Sequence, residues 1–233
     1  MIKDNIKAIE EKINNACLKA GRNPGDVKLM AVSKLHTCEE IIQAIEAGIT
    51  LFGENRVQES MEKFPKILEK YNSIQLHLIG QLQRNKVKTI LPYITTVQSV
   101  DRVELVEEII KQASKLNLSK PLNLLFEYHT GEESKSGFTN TDDLYSAIEI
   151  ASKSELVICN GFMTMAPFTQ DKKLIEKSFT MLKDISDKAK KDFPDLPFTE
   201  LSMGMSSDYE IACELGSTLV RIGTAIFGAR NYQ

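Results

Sequence analysis

Eight short, apolar, β-favouring runs recur along the chain, and each is followed by a longer stretch of helical periodicity. The runs are Val27–Ser33, Ile49–Phe52, Leu76–Ile79, Ile94–Gln98, Leu122–Phe126, Leu156–Asn160, Phe198–Leu201 and Thr218–Ile222. The helical segments between and after them are Cys38–Ala47, Arg56–Glu69, Arg84–Leu91, Arg102–Leu116, Thr141–Ala151, Asp171–Lys191, Asp208–Leu215 and a short one at Thr224–Phe227. Near-continuous apolar strands separated by helices imply a parallel sheet covered on both faces. Eight βα units in about 200 residues predict an α/β fold, a single (β/α)8 barrel of the TIM type. A doubly wound open sheet is the alternative that strand counting alone leaves open.

Ahead of the first strand, Ile2, Ile6, Ile9, Ile13, Ala16 and Leu18 stand near helical spacing, and Gly21 and Pro24-Gly25 stop the pattern. Residues 1–21 are therefore expected to form a helix that packs on the barrel. The polar stretch His129–Thr141 reads as a loop after the fifth strand, and Asp192–Pro197 as a rigid connection. With no linker, repeat or low-complexity tract, residues 1–233 are read as one domain with no second β-domain. Charge sharpens this. Lys and Arg total 29 against 32 Asp and Glu, a net −3 that argues against a nucleic-acid partner. Cys17, Cys38, Cys159 and Cys213 form no CxxC pair and the three histidines are scattered, so neither a metal site nor a disulfide framework is expected. The start, MIKDNIKAIEEKI, lacks a signal-type apolar region, and no window approaches the roughly 18–20 apolar residues of a membrane span. A reducing cytoplasmic setting follows as the expectation.

Active groups in such barrels gather at the C-terminal ends of the strands. Lys34 stands there, after the apolar run Val27–Val32. A lysine partly desolvated in a barrel mouth loses its proton more readily and can attack a carbonyl; a solvated strand-end lysine is the plainer alternative. Leu201–Asp208 (LSMGMSSD) and Arg221–Gly228 (RIGTAIFG) follow the seventh and eighth strands and open helices, a place where barrels bind phosphate. Gly204 and Gly223 admit close backbone approach, and Ser206, Ser207 and Thr224 offer hydroxyls; helix capping alone would also explain them. Arg221 reads either as a donor to a ligand or as the partner of a barrel glutamate. Asn55, after the second strand, is placed to orient a ligand group. His77 reads first as a satisfied core histidine and second as a ring-stacking residue, and Met163-Thr164-Met165 reads as barrel lining. A lysine and a phosphate site on one mouth point to a phosphorylated aldehyde, which leaves pyridoxal phosphate and a sugar-phosphate aldolase both open.

The residues also resemble a known family, the pyridoxal phosphate homeostasis proteins. The resemblance is carried by Ala31-Val32-Ser33-Lys34, Phe52-Gly53-Glu54-Asn55 with Val57-Gln58-Glu59, His77-Leu78-Ile79-Gly80, Ser99-Val100-Asp101, Gly131–Gly137 (GEESKSG), Gly161–Met165, Leu201–Ser206 and Gly216–Gly228. It implies a single barrel similar to the N-terminal domain of alanine racemase, with pyridoxal 5'-phosphate held as a Schiff base on Lys34. It implies further that Ser206, Gly223 and Thr224 hold the phosphate, that Arg221 faces the pyridine nitrogen and that Asn55 lies near the cofactor. Leu35-His36-Thr37, Arg56, Leu76 and Tyr128-His129-Thr130 depart from the family's usual residues. They rim the expected mouth and leave Lys34 and the phosphate loops intact.

A guanidinium only donates, so a pyridine nitrogen facing Arg221 must accept and stays unprotonated. That weakens the ring as an electron sink. In alanine racemase a second base comes from a separate β-domain, and here the chain ends at Gln233 directly after the eighth unit. The expectation is a carrier of pyridoxal phosphate in cofactor and amino-acid homeostasis, without efficient turnover of its own. A weak pyridoxal-phosphate-dependent racemase, with Lys34 as its catalytic residue, is the alternative. The expected partners are the cofactor, amino acids or acceptor apo-enzymes, and the expected state is a monomer. The Gly131–Gly137 segment reads as a lid or as a solvated loop.

Overall fold

Parallel pairing runs unbroken from the first strand round to the last and back. Strands β1 (Lys28–Val32), β2 (Leu51–Glu54), β3 (Gln75–Leu78), β4 (Thr96–Val100), β5 (Leu122–Glu127), β6 (Val157–Met163), β7 (Glu200–Ser202) and β8 (Leu219–Ile222) close in sequence order. The seam is the β1–β8 pair, with Lys28 opposite Leu219 and Ala31 opposite Ile222. This computed structural model describes residues 1–131 and 136–228. Residues 132–135 of the expected His129–Thr141 loop, and hence most of its GEESKSG segment, lie outside the described residues, as do 229–233.

The helices are α1 (Ile2–Lys19), α2 (Cys38–Glu46), α3 (Val57–Lys70), α4 (Val87–Ile90), α5 (Val103–Leu116), α6 (Thr141–Ser152), α7 (Lys172–Asp192), α8 (Tyr209–Glu214) and α9 (Thr224–Phe227). Their starts are written in the sequence. Thr37 accepts from the Glu40 amide while the Glu40 carboxylate accepts from the Thr37 amide, a reciprocal box at the head of α2. Asn140 and Asp171 cap α6 and α7 by accepting from the amides of Asp143 and Lys173. Helix α1 buries Ile6, Ile9, Ile13, Ala16 and Cys17. It packs against α8 and α9, and Asn5 donates to the Ile226 carbonyl at 2.8 Å.

Several element boundaries differ from expectation. The predicted helix Arg84–Leu91 is a 3-10 turn, the single α turn α4 and a second 3-10 turn at Leu91–Tyr93. Pro92 lacks the N–H to continue the helix, and β4 starts two residues later than predicted, at Thr96. Strand β6 passes through Gly161 instead of stopping at Asn160. A Cβ at Gly161 would lie 1.8 Å from the Glu200 carbonyl oxygen, so glycine here marks close strand approach, not a break.

The main core lies between the strands and the helical coat. In it Phe162 packs against Phe126 and Phe198, with ring centroids 6.2 and 5.0 Å away. A small second cluster, Met30, Leu51 and Leu219 with Ile79, fills part of the barrel interior. At the N-terminal end of the barrel Lys28 pairs with Glu200, whose other oxygen accepts from Thr218 at 3.3 Å. Phe162→Ala is expected to cost about 3–5 kcal/mol of stability. Urea unfolding of the two proteins measures it, with an unchanged slope as the sign that the fold is kept.

Candidate functional site

A cavity of about 450 Å³ opens at the C-terminal ends of the strands. Its lining includes all six residues singled out from the sequence: Lys34, Asn55, Ser206, Arg221, Gly223 and Thr224. Val32, Gly80, Ser136, Met165, Met205 and Ser207 complete much of the wall.

Lys34 sits in the turn after β1, half-buried, and the loop that carries it is held from outside the barrel wall. Lys63 of α3 donates to the Ser33 carbonyl at 2.9 Å, to Glu54 at 2.7 Å and to Glu59 at 2.8 Å. Ser33 donates to the same Glu54 oxygen at 2.7 Å, and the Leu35 amide donates to Glu59. Leu35 takes a left-handed φ of 64°, a conformation that a branched residue adopts only where its surroundings impose it. Lys63 on the Ser33 carbonyl and Glu59 on the Leu35 amide, one on either side of Lys34, supply that constraint. Glu54 is fully buried, its Oε2 has no partner, and desolvation pushes its carboxyl up against the opposing pull of Lys63.

Asn55 follows β2 and is set by backbone contact. A Cβ on Gly80 would stand 2.3 Å from the Asn55 carbonyl oxygen, so only glycine allows the β2 and β3 loops to meet here. Ser99 of β4 donates to the Gly80 carbonyl at 2.6 Å and fixes the same corner.

The loops after the neighbouring strands β7 and β8 meet. Gly204 has φ 100°, and the turn that follows is closed by Asp208, which accepts from the Met205 amide at 2.6 Å. Ser206 accepts from the Ala225 amide at 3.5 Å, joining the two loops. Among the described residues, the backbone N–H groups of Ser206, Ser207, Gly223 and Thr224 meet no protein acceptor. With the hydroxyls of Ser206 and Thr224 they form a donor-rich corner suited to an anion with several oxygens.

Arg221 is buried, and it donates to Ser202 Oγ and to the Thr164 carbonyl, both at 2.7 Å. The expected alternative, a direct partner among the barrel glutamates, is not what holds it. Glu127 and Asp208 act on it through their charge, opposing the burial that draws its pKa down to about 10. It is still a cation at neutral pH. Glu127, at the end of β5, is buried as well, and desolvation pushes its carboxyl up to about 7. Ser136 donates to Glu127 at 2.9 Å and Arg221 lowers its pKa, while the charge of Asp101 raises it.

His77 is the satisfied core histidine of the first reading. It meets Thr96 at 3.0 Å and Gln98 at 2.9 Å, and burial draws its pKa down to about 3. Of the Met163–Met165 stretch, Met165 lines the cavity, while Thr164 does more than line the barrel by accepting from Arg221. Sequence reasoning missed Lys63, Glu127, Ser136, Thr164 and Ser202. Glu127 was within reach of it. Had β5 been carried one residue past Phe126, a glutamate would have appeared at the C-terminal end of an apolar strand.

Residues 5–231 match the family described as alanine racemase, N-terminal domain. The pyridoxal phosphate homeostasis protein of Pasteurella multocida is 38% identical over 233 residues, covering 100% of this chain and 99% of that one. The structure of PipY from Synechococcus elongatus, solved with PLP bound, superposes with TM-score 0.84 at 30% identity, over 98% of this chain and 100% of that one. An alanine racemase of Clostridium difficile superposes with TM-score 0.73 at 16% identity, over 99% of this chain and 58% of that one, a likeness of fold.

Lys63→Met leaves buried Glu54 without its cation and is expected to cost about 3–5 kcal/mol in denaturant unfolding at pH 7, part of it recovered by adding Glu54→Gln. Glu127 gives a pH signature. A carboxyl raised from 4.5 to about 7 binds protons on folding, so its stabilising contribution is complete below about pH 4.5 and is lost as pH rises through 7. Relative to the unaltered protein, Glu127→Gln is therefore expected to gain about 2–3 kcal/mol between pH 5 and pH 8 in parallel unfolding curves. A flat difference would show that Glu127 titrates normally.

Proposed function

Because the chain belongs to the pyridoxal phosphate homeostasis proteins, within the alanine racemase N-terminal domain family, we propose that it binds pyridoxal 5'-phosphate at the barrel mouth and serves in the homeostasis of that cofactor and of amino acids. One observation carries this reading. A lysine, a donor-rich corner and a buried guanidinium face a single cavity of a size ordinary for small-molecule sites.

The residues fit the group. Ser206, Gly223 and Thr224 are the phosphate ligands, with N–H groups and hydroxyls turned to the same corner. Asn55 and Arg221 line the same cavity; Asn55 would lie beside the cofactor and Arg221 would meet its ring nitrogen. Bound there, pyridoxal phosphate supplies an electrophilic aldehyde carbon and an electron-withdrawing ring. Lys34 would hold the group through its side-chain amine, the nucleophile suited to that aldehyde carbon. Arg221 holds its protons at neutral pH and only donates, so a ring nitrogen bound against it would stay unprotonated. Carbanion chemistry is disfavoured by that pairing, and the site favours holding and releasing the cofactor over turnover. Residues 1–233 act as one binding domain in this reading, a cytoplasmic monomer whose mouth exchanges cofactor with amino acids or acceptor apo-enzymes. Among the described residues no helix is long and apolar enough to cross a membrane, which accords with that setting.

The visible spectrum of the purified protein, before and after borohydride, with Lys34→Ala alongside, tests the proposal. A yellow band that borohydride bleaches and fixes onto Lys34, and that the variant never forms, is expected. A colourless protein that takes up no added pyridoxal phosphate would overturn the reading in favour of a sugar-phosphate aldolase. Efficient racemisation of an amino acid, lost in Lys34→Ala, would replace storage with catalysis.

A further inference from the structure

The barrel interior carries a line of polar side chains where branched apolar ones usually sit. Arg221 from β8, Ser202 from β7, Gln98 and Thr96 from β4 and His77 from β3 are all buried. Arg221 Nη1 lies 2.7 Å from Ser202 Oγ, and Ser202 Oγ lies 2.7 Å from Gln98 Oε1. Gln98 Nε2 lies 2.9 Å from His77 Nδ1, and His77 Nε2 lies 3.0 Å from Thr96 Oγ1.

Donor chemistry gives this line one direction. A guanidinium has no acceptor, so Ser202 accepts from Arg221 and turns its single proton to Gln98. The Gln98 carbonyl oxygen is thereby fixed towards Ser202 and its amide NH2 towards His77. An NH2 group only donates, so His77 Nδ1 accepts and carries no proton. The neutral ring then bears its proton on Nε2 and donates to Thr96. Burial, helped by the charge of Lys28, keeps the ring neutral. At the other end, Arg221 feels the charge of two carboxylates, Asp208 and Glu127.

We propose that Ser202, Gln98 and His77 are positioning residues for Arg221, a hydrogen-bonded thread that fixes the plane of its guanidinium so that the N–H groups not given to Ser202 and Thr164 face the cavity. The two groups that accept from Arg221, a hydroxyl and a carbonyl, are both neutral. The inference deepens the cofactor reading and rests on it for what Arg221 faces; the thread itself does not.

The ring nitrogens of His77 test the thread in the cofactor-free protein. In ¹⁵N spectra, assigned by the loss of signals in His77→Phe, the structure predicts a bare Nδ1 and a protonated Nε2 from pH 5 to pH 8. A proton on Nδ1, alone or with Nε2, would overturn the proposal. Ser202→Ala cuts the thread beside Arg221. It is expected to weaken pyridoxal phosphate binding about tenfold, the worth of one good hydrogen bond, and to shift the visible band, with borohydride still fixing the cofactor onto Lys34. Ser202→Thr keeps the hydroxyl and is expected to restore both. Unchanged affinity and band in Ser202→Ala would overturn the positioning role. Should the unaltered protein bind no pyridoxal phosphate, the cofactor reading fails, and the His77 spectrum still decides the thread. That spectrum also decides it if Ser202→Ala does not fold.

Discussion

A closed eight-stranded barrel has room inside for side chains and none for bulk water, so each polar atom that faces inward must find its partner on another strand. That condition shapes this protein more than any single contact. Arg221, the charged group deepest in the wall of the cavity, is admissible only because Ser202 and the Thr164 carbonyl receive its hydrogens. Ser202 is admissible only because Gln98 receives its own, and so on to Thr96. An arginine and a histidine thus share one interior, the first charged and the second neutral, without an ion pair between them.

The two basic side chains of the site are secured by opposite devices. Lys34 is controlled through its backbone. Lys63, Glu54 and Glu59 hold the carbonyl of Ser33 and the amide of Leu35, and the strained turn projects the lysine from there. Arg221 is controlled through its side chain, from within the barrel. The first device lies among the α3 and β2 side chains behind the wall, the second among inward-facing residues of four strands.

Much of this was legible in the sequence, and the reason is periodicity. Apolar runs such as Leu122–Phe126 and capped helix starts such as Thr37-Cys38-Glu39-Glu40 are local signals, so the order of elements and the barrel followed from them. Lys34, Ser206 and Thr224 were legible because strand ends are where a barrel exposes chemistry. Lys63 was not. On α3 it reads as one more surface lysine, and only the packed fold shows it buried against carbonyls about 30 residues earlier in the chain. Gln98 and Ser202 were hidden for a related reason. Their partners stand 104 residues apart, and no local pattern records which strands will face each other across an interior. Pro92 and Gly161 misled at element boundaries, where one residue type serves both as a terminator and as a packing device.

The cavity straddles the seam where the first strand meets the eighth. Lys34 follows β1, Gly223 and Thr224 follow β8, and a Cβ on Gly223 would lie 3.2 Å from the Val32 carbonyl oxygen. These are among the most distant pairings in the sequence, the kind whose loop-closure cost delays their formation during folding. The site therefore has a history as well as a geometry. Lys34 and the β8 loop come together only when β8 pairs with β1. Anything that bridges the lysine and the β8 loop recognises only the finished ring, and so acts as a clasp on the last joint to close.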